Sequence, residues 1–480
     1  MISHRILLLS ATALMMSVAA CSRTLELRVT EEVINPCYLG NGVEWDPYDE
    51  AASWGCPVSE DDWNKLYERL DYMRPQYVRC MINSPFTYYT GSGFEHGRNA
   101  EGIKKLLSYC QSRGVMVVYG EYNPPTWAMK GSREWVEASV RHLNWLVNDN
   151  GFDCIRHFVI FNEPDGNWAS TNGDFAFWRK MVEVFDAEMV KYPGLREKVS
   201  IAGPDAVINY RNPASEYDHA GWLKATVEQV PQVGIYDMHA YPGQRYVRSG
   251  EFEKDLKGLK ALVGERPVIL GETGYKYFND PADSALAREY WRRVEGHPFT
   301  KGSDCNMMVY DNFYALDMPL LLCSVMNAGF SGAAAWMLDD AMHSNGDSGK
   351  PEDIKLWGMW NILGAEVFAD ASQEELRPWY YTWSLMCRHF PAGSTVLRLD
   401  GGLPEGVAAV AARTPDGAYS VAVVNFGGQS HRVRLSIPEG GEGYGLTLYR
   451  DGLQKQEVSA GDGTCTFIVP AETFAIFAKE

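Results

Sequence analysis

The stretch His157-Phe158-Val159-Ile160-Phe161-Asn162-Glu163-Pro164, HFVIFNEP, ends an apolar run in an amide, a carboxylate and a proline, and continues through Asp165-Gly166-Asn167 to Trp168. The apolar part reads as a buried strand. Similar runs lie on either side: one near YLGNGVEW (38–45), then YVRCMIN (77–83), VMVVYGEY (115–122), VSIAGPDA (199–206), IYDMHAYP (235–242), PVILGETGY (267–275) and GAAAWMLDD (332–340). With HFVIFNEP they number eight. Between most of them lie amphipathic segments such as DDWNKLYERLDYM, GIKKLLSYCQSRG and FAFWRKMVEVFDAEMVKY, apolar at spacings of three and four. The segment REWVEASVRHLNWLVNDNG starts acidic and stops at Asn-Gly. Eight strand–helix units predict an α/β fold, a parallel (β/α)8 barrel over residues 38–390. A doubly wound sheet is the alternative, but no Gly-rich phosphate turn follows the first strand. The interval Thr273–Ser331 is expected to hold a loop that walls a cleft.

After Pro391 the texture changes. STVLRL, GVAAVAART, AYSVAVVNF, HRVRLSI, YGLTLYR and TFAIFAK are short β-rich runs set apart by Gly, Asp and Pro. They predict an all-β sandwich over 391–480. LELRV (25–29), within the segment 21–37, alternates in the same way and is expected to cross over and join that sandwich.

A chain of 480 residues suits one large α/β domain and a smaller one. Its formal charge of −18 argues against holding nucleic acid by phosphate neutralisation and suits a neutral substrate. Fifteen Trp and 26 Tyr supply flat apolar faces of the kind that meet sugars, or that fill large cores. Residues 1–20 have a short basic start, an apolar stretch too short to cross a bilayer comfortably, and small residues at the end, as an export signal does. Val18-Ala19-Ala20-Cys21 resembles a bacterial lipobox. The resemblance implies cleavage before Cys21, acylation of its thiol, and a lipid-anchored protein of the cell envelope, periplasmic or outer-membrane, whose only membrane contact is the anchor. An ordinary secretory signal is the other reading. Nine cysteines remain after Cys21, an odd number. Cys80, Cys154 and Cys323 lie in or beside apolar runs and are expected as buried thiols, while Cys37 and Cys56 flank a loop and could pair. Neither CxxC nor HExxH spacing occurs, so a zinc site has no support.

Glu163 closes the fourth barrel run, and Glu272, in Gly271-Glu272-Thr273-Gly274-Tyr275, closes the seventh. In a barrel both carboxylates project from the carboxyl-terminal mouth. Two carboxylates about 5 Å apart are what a retaining glycosidase needs, one to protonate the leaving oxygen and one to attack the anomeric carbon.

Asn162-Glu163-Pro164 with Glu272 resembles the clan A glycoside hydrolases. Arg79 in YVRC resembles the clan's arginine beside the nucleophile. His239-Ala240-Tyr241 resembles its HxY, and Trp336 the tryptophan under its sugar. NPPTWAMK (123–130) is similar to the SPPxWMK of family 30; a C-terminal sandwich fits families 30 and 39, and there is some likeness to family 5. The resemblance implies a secreted retaining β-glycosidase with Glu163 as acid/base and Glu272 as nucleophile, needing no cofactor and acting on an oligo- or polysaccharide. It implies substrate contacts from Asn162, Arg79, His239, Tyr241 and Trp336. Trp127 and Trp168 are expected to line subsites, as are Tyr275, Trp45 and Trp54; each of these also has a reading as ordinary packing. Asp165 reads as a loop cap. Asp339, Asp340, Asp347 and Asp353 do not follow EF-hand spacing. Two other functions share these residues: a catalytically silent glycan-binding lipoprotein and a transglycosylase.

Overall fold

The computed structural model describes residues 24–296, 305–344, 348–461 and 463–479. Strand β1 (Thr24–Tyr38) leads into eight strands: β2 (Gly40–Glu44), β3 (Tyr77–Ile82), β4 (Met116–Glu121), β5 (Ile155–Val159), β6 (Ser200–Val207), β7 (Val233–Ala240), β8 (Val268–Thr273) and β9 (Gly332–Ala335). These close in chain order into a parallel barrel, with Gly40 opposite Gly332 where β9 returns to β2. Most of the helices that cover the outside carry one apolar face. In Glu60–Met73 that face is Trp63, Leu66, Leu70 and Met73, and the helix starts at a capping box in which Ser59 and Asp62 satisfy one another's backbone N–H.

The interval between β8 and β9 is mainly helical rather than one long loop. A short turn at Tyr277–Asn279 faces the barrel mouth, and helices Ala285–Gly296 and Asn312–Asn327 follow. The second of these is buried on almost every side. It lies between the barrel and the C-terminal domain, and Asn327 Nδ2 donates to Ala409 O (3.0 Å) across that junction.

The C-terminal domain comprises β10 (Ser394–Asp400), β11 (Val407–Arg413), β12 (Tyr419–Asn425), β13 (His431–Ser436), β14 (Tyr444–Tyr449), β15 (Leu453–Gln456), β16 (Ser459–Gly461), β17 (Thr464–Val469) and β18 (Thr473–Lys479). With β1 they form one mostly antiparallel sheet in the order β15-β14-β18-β12-β11-β10-β1-β13-β17-β16. The layers of the sandwich are thus the two halves of a single sheet. It folds over a core that includes Leu25, Leu27, Val421, Val433, Phe467 and Phe477. Its other face, with Val396, Val410, Val424 and Ile476, packs into the core of the barrel. β1 runs parallel to β13 from Thr24 to Arg28 and antiparallel to β10 from Arg28 onward.

Cys37 and Cys56 do not pair; both are free, Cys37 exposed and Cys56 half-buried. Cys37 lies on β1 in the C-terminal sheet and Cys56 follows the first barrel loop, so the two stand in different parts of the molecule. Cys80, Cys154 and Cys323 are buried thiols. Residues 1–20, expected as an export signal, and Cys21 lie outside the described residues. No described helix is long and apolar enough to cross a membrane.

Candidate active site

Beyond β5 the chain turns at Ile160–Pro164, and Glu163 takes φ 45°, in the left-handed region. That conformation costs a non-glycine residue about 1–3 kcal/mol, so the surroundings must hold it. They do: Gly166 N donates to Glu163 O (2.9 Å), and Thr171 Oγ1 donates to Pro164 O (2.7 Å). The carboxyl group faces the barrel mouth. His239 Nδ1 lies 3.0 Å from its Oε1, and Trp168 Nε1 donates to its Oε2 (2.6 Å).

Glu272 owes its aim to a bulge. β7 and β8 pair Met238 with Leu270 and then His239 with Glu272, which leaves Gly271 as the extra residue. Gly271 N donates to Asp237 Oδ1 (2.6 Å), and a Cβ on Gly271 would come within 2.3 Å of both Asp237 oxygens. Only glycine fits there. Beyond the bulge Glu272 accepts from Arg79 Nη1 (2.7 Å) and from the Tyr241 hydroxyl (2.6 Å). One oxygen of Glu163, one of Glu272 and a ring nitrogen of His239 lie within 4.8 Å of one another.

Arg79 is fully buried beneath them. Its Nη1 also donates to both oxygens of Glu44 (3.0 Å each), and its Nη2 to Asn162 Oδ1 (2.7 Å) and Asp205 Oδ2 (3.1 Å). Burial raises the pKa of Glu44 and Asp205, against the pull of Arg79. Burial and the neighbouring Asp205 charge push Asp237 up to about 8. Burial alone would lower His239, but the Glu272 charge and the Glu163 hydrogen bond carry it up to about 10. Burial would raise Glu163; the hydrogen bond and charge of His239, with Lys276 and Trp168, more than offset this and hold it below the usual carboxylate range. The two shifts run in opposite directions because the imidazole and the carboxylate lie against one another.

Above these groups opens a cavity of about 850 Å³ whose lining includes Asn162, Glu163, Trp168, Tyr241, Glu272 and Trp336. Arg79 and His239 sit directly under it. Trp127 does not join them: it is 54% exposed and outside the lining. Tyr275 is buried and donates to Asp317 O (2.9 Å). Trp45 packs against Trp63 and Tyr109, and Trp54 packs beside Cys305. These three were expected at the mouth and are packing residues, because the loops that carry them fold back onto the barrel. Asp165 ties the β5 turn to β6 by accepting from Val207 N (3.1 Å). Asp339 accepts from Trp360 Nε1 (2.6 Å), and Asp340 pairs with Arg377, so both hold loops. Asp353 sits in a short 3-10 turn, and Asp347 lies outside the described residues. Asp205, Asp237 and His239 form a second convergent set within 4.8 Å, with Arg79 as the positive partner of Asp205.

The structure adds residues that the sequence reading does not name. Glu44 and Asp205 lie at or near the carboxyl-terminal ends of β2 and β6, the same positional signal that singles out Glu163 and Glu272. Tyr122 donates to Asp46 Oδ2 (2.8 Å) and Glu44 Oε1 (3.1 Å). His343 pairs with Asp46 and stacks parallel to Trp336 (ring centroids 6.0 Å apart); no motif marks it.

No family model matches the chain, and no curated protein matches it. Solved structures do. A GH51 arabinofuranosidase from Xanthomonas axonopodis pv. citri aligns with a TM-score of 0.66 at 12% identity, over 95% of this chain and 99% of that one. A GH30 endoxylanase from Clostridium papyrosolvens C71 aligns at 0.61 and 12% identity, over 95% and 100%. A GH39 beta-xylosidase from Caulobacter crescentus aligns at 0.59 and 12% identity, over 96% and 100%. The fold is that of the clan A glycoside hydrolases. At these identities the likeness is one of fold, and the chemistry has to be argued from the residues themselves.

Proposed function

We propose that the protein is a retaining glycosidase acting on a β-linked glycan by double displacement, with Glu163 as acid/base and Glu272 as nucleophile. The observation that carries this reading is the approach of the two carboxyl groups, with an oxygen of each inside 4.8 Å. Retention calls for carboxyl groups about 5–5.5 Å apart, whereas inversion needs about 6.5–9.5 Å to admit a water molecule between sugar and base.

Each neighbour then has a task. Arg79 and Tyr241 hold Glu272 aimed at the cavity. Asn162 gives its oxygen to Arg79, which turns its NH2 toward the cavity, where it can donate to a sugar hydroxyl. His239 holds the proton within hydrogen-bonding reach of Glu163 Oε1. Glu163 takes that proton and passes it to the leaving oxygen as the glycosidic bond breaks. The Glu272 carboxylate meanwhile forms a bond to the anomeric carbon. Glu163, now a carboxylate, draws a proton from water, and the water oxygen displaces Glu272 from the opposite side of that carbon. The scheme uses no cofactor. Export and a lipid anchor at Cys21 belong to the same proposal: β1 begins at Thr24, three residues further on, so an anchor would hold the C-terminal sheet close to the membrane.

Product stereochemistry tests the roles. The donor is whichever aryl β-D-glycoside or α-L-arabinofuranoside the wild type accepts from a panel. Glu163→Ala should still form the glycosyl-enzyme from an activated donor, and azide should release it as a glycosyl azide of retained configuration. Glu272→Gly should give the inverted azide. The opposite assignment of products would exchange the two roles, and wild-type activity in both variants would end the reading.

A further inference from the structure

Away from the barrel mouth a second groove, of about 540 Å³, lies where the barrel meets the C-terminal sheet. Five basic side chains line it from separate elements. Arg74 follows helix Glu60–Met73, Arg388 and His389 end helix Pro378–His389, Lys455 lies on β15, and Lys479 ends β18. Among the described residues no carboxylate lines the groove. On a chain of net charge −18 the four charged side chains, Arg74, Arg388, Lys455 and Lys479, stand against the average.

Ordinary explanations account for part of it. Basic residues suit helix C-termini, and lysine guards an edge strand such as β15. Neither reason brings the elements together around one concavity. Asp71 and Asp416 feel Arg74 and Lys479 through space, but neither lines the groove. Arg388 is already fixed. It lies over the Tyr72 ring (4.8 Å to the centroid) and donates to Tyr72 O (3.0 Å), and Tyr72 is itself stacked on Tyr380. Burial, with the charges of Arg388 and Arg74, drives the His389 imidazole down to about 4. Leu453 adds exposed apolar surface, and Thr447 and Gln454 add neutral hydrogen-bonding groups, while Leu385 and Ile476 close the floor as part of the core.

We infer that this groove is a second saccharide site, selective for oligosaccharides that carry carboxylate or sulfate groups. The cations would meet the anionic substituents, Leu453 a ring face, and Thr447 and Gln454 the hydroxyls. The volume exceeds what one inorganic anion needs. The site is separate from the glutamate pair and does not depend on that pair being catalytic.

The probes are trigalacturonate, a sulfated disaccharide, neutral maltotriose and inorganic sulfate, followed by imidazole NMR and calorimetry on the whole protein. Either acidic saccharide should bind with a Kd on the order of 1 mM and raise the pH at which the His389 imidazole titrates, followed over the acid range where it lies, because an anion offsets the local positive field. Lys455→Gln/Lys479→Gln, both at exposed positions, should weaken that binding at least about tenfold and leave glycoside turnover unchanged. Arg388→Gln should do the same, and its melting curve shows whether it folds. If one acidic probe binds and the other does not, the anionic group is identified. Maltotriose binding as tightly as trigalacturonate would overturn the inference. So would sulfate binding as tightly as the saccharides, no shift at His389, or stronger retention by anionic phospholipid vesicles than by either acidic saccharide.

Discussion

Arg79 donates to Glu44, Glu272, Asn162 and Asp205 from two nitrogens. Lysine has one ammonium group and cannot reproduce that fork. Arg79→Lys should lower kcat/KM sharply, while Arg79→Ala should also destabilise the fold by about 3–5 kcal/mol, because it leaves buried carboxylates uncompensated. Urea denaturation and steady-state kinetics check both. His239 offers a sharper test. Its folded pKa of about 10 lies above the unfolded value of about 6.5. Its contribution to stability is therefore complete below about pH 6.5 and is lost as the pH rises through about 10. Nitrogen NMR at pH 7 should show an imidazolium. For a donor with a poor leaving group, the alkaline limb of kcat/KM should fall with deprotonation of the His239–Glu163 pair, and in His239→Asn it should move to lower pH. A neutral imidazole at pH 7 would remove His239 as the holder of the proton. The two glutamates were legible from sequence because each ends an apolar run. Glu44 and Asp205 end or nearly end such runs as well, yet no motif surrounds them, and their importance comes from contact with Arg79, which links β2, β3 and β6 only after folding.

The β8 bulge sets Glu272 by a single unpaired residue. Gly271→Ala would place a methyl group within 2.3 Å of the Asp237 carboxylate, so the strand must slip or the carboxylate must move. Activity should fall by about 100-fold or more, since displacement of a reacting group by about 1 Å costs on that order. Asp237→Ala should restore part of it in the Gly271→Ala background. If the effects on log kcat/KM were simply additive, the clash would not be what disturbs Glu272. The sequence does not disclose this device: in GETGY, Gly271 looks like any glycine near a strand end, and the bulge exists only relative to β7. The barrel strands are readable because they are mostly buried and most centre on an apolar run. In the sheet, β15 and β16 are mostly exposed and have only four and three residues, so neither leaves an apolar pattern to read. β17 does alternate, with Cys465, Phe467 and Val469 inward.

At the scale of the whole molecule, β1 is the element that makes the C-terminal domain one sheet, because it stands between β10 and β13. Deleting residues 24–30 should open that sheet, lower the melting temperature and expose its core to a hydrophobic dye. Below the transition the chemistry at the barrel mouth should be unchanged. A melting curve indistinguishable from wild type would show that β10 and β13 hold without it. The pairing also has a meaning in time. Arg28 meets Asp400, 372 residues later. A ribosome therefore makes every barrel strand before the first-made strand finds either of its neighbours. Until then Leu25, Leu27 and Val29 lack the partners that bury them. Translation halted near residue 390 would leave every barrel strand made and Leu25, Leu27 and Val29 still without the sheet that covers them.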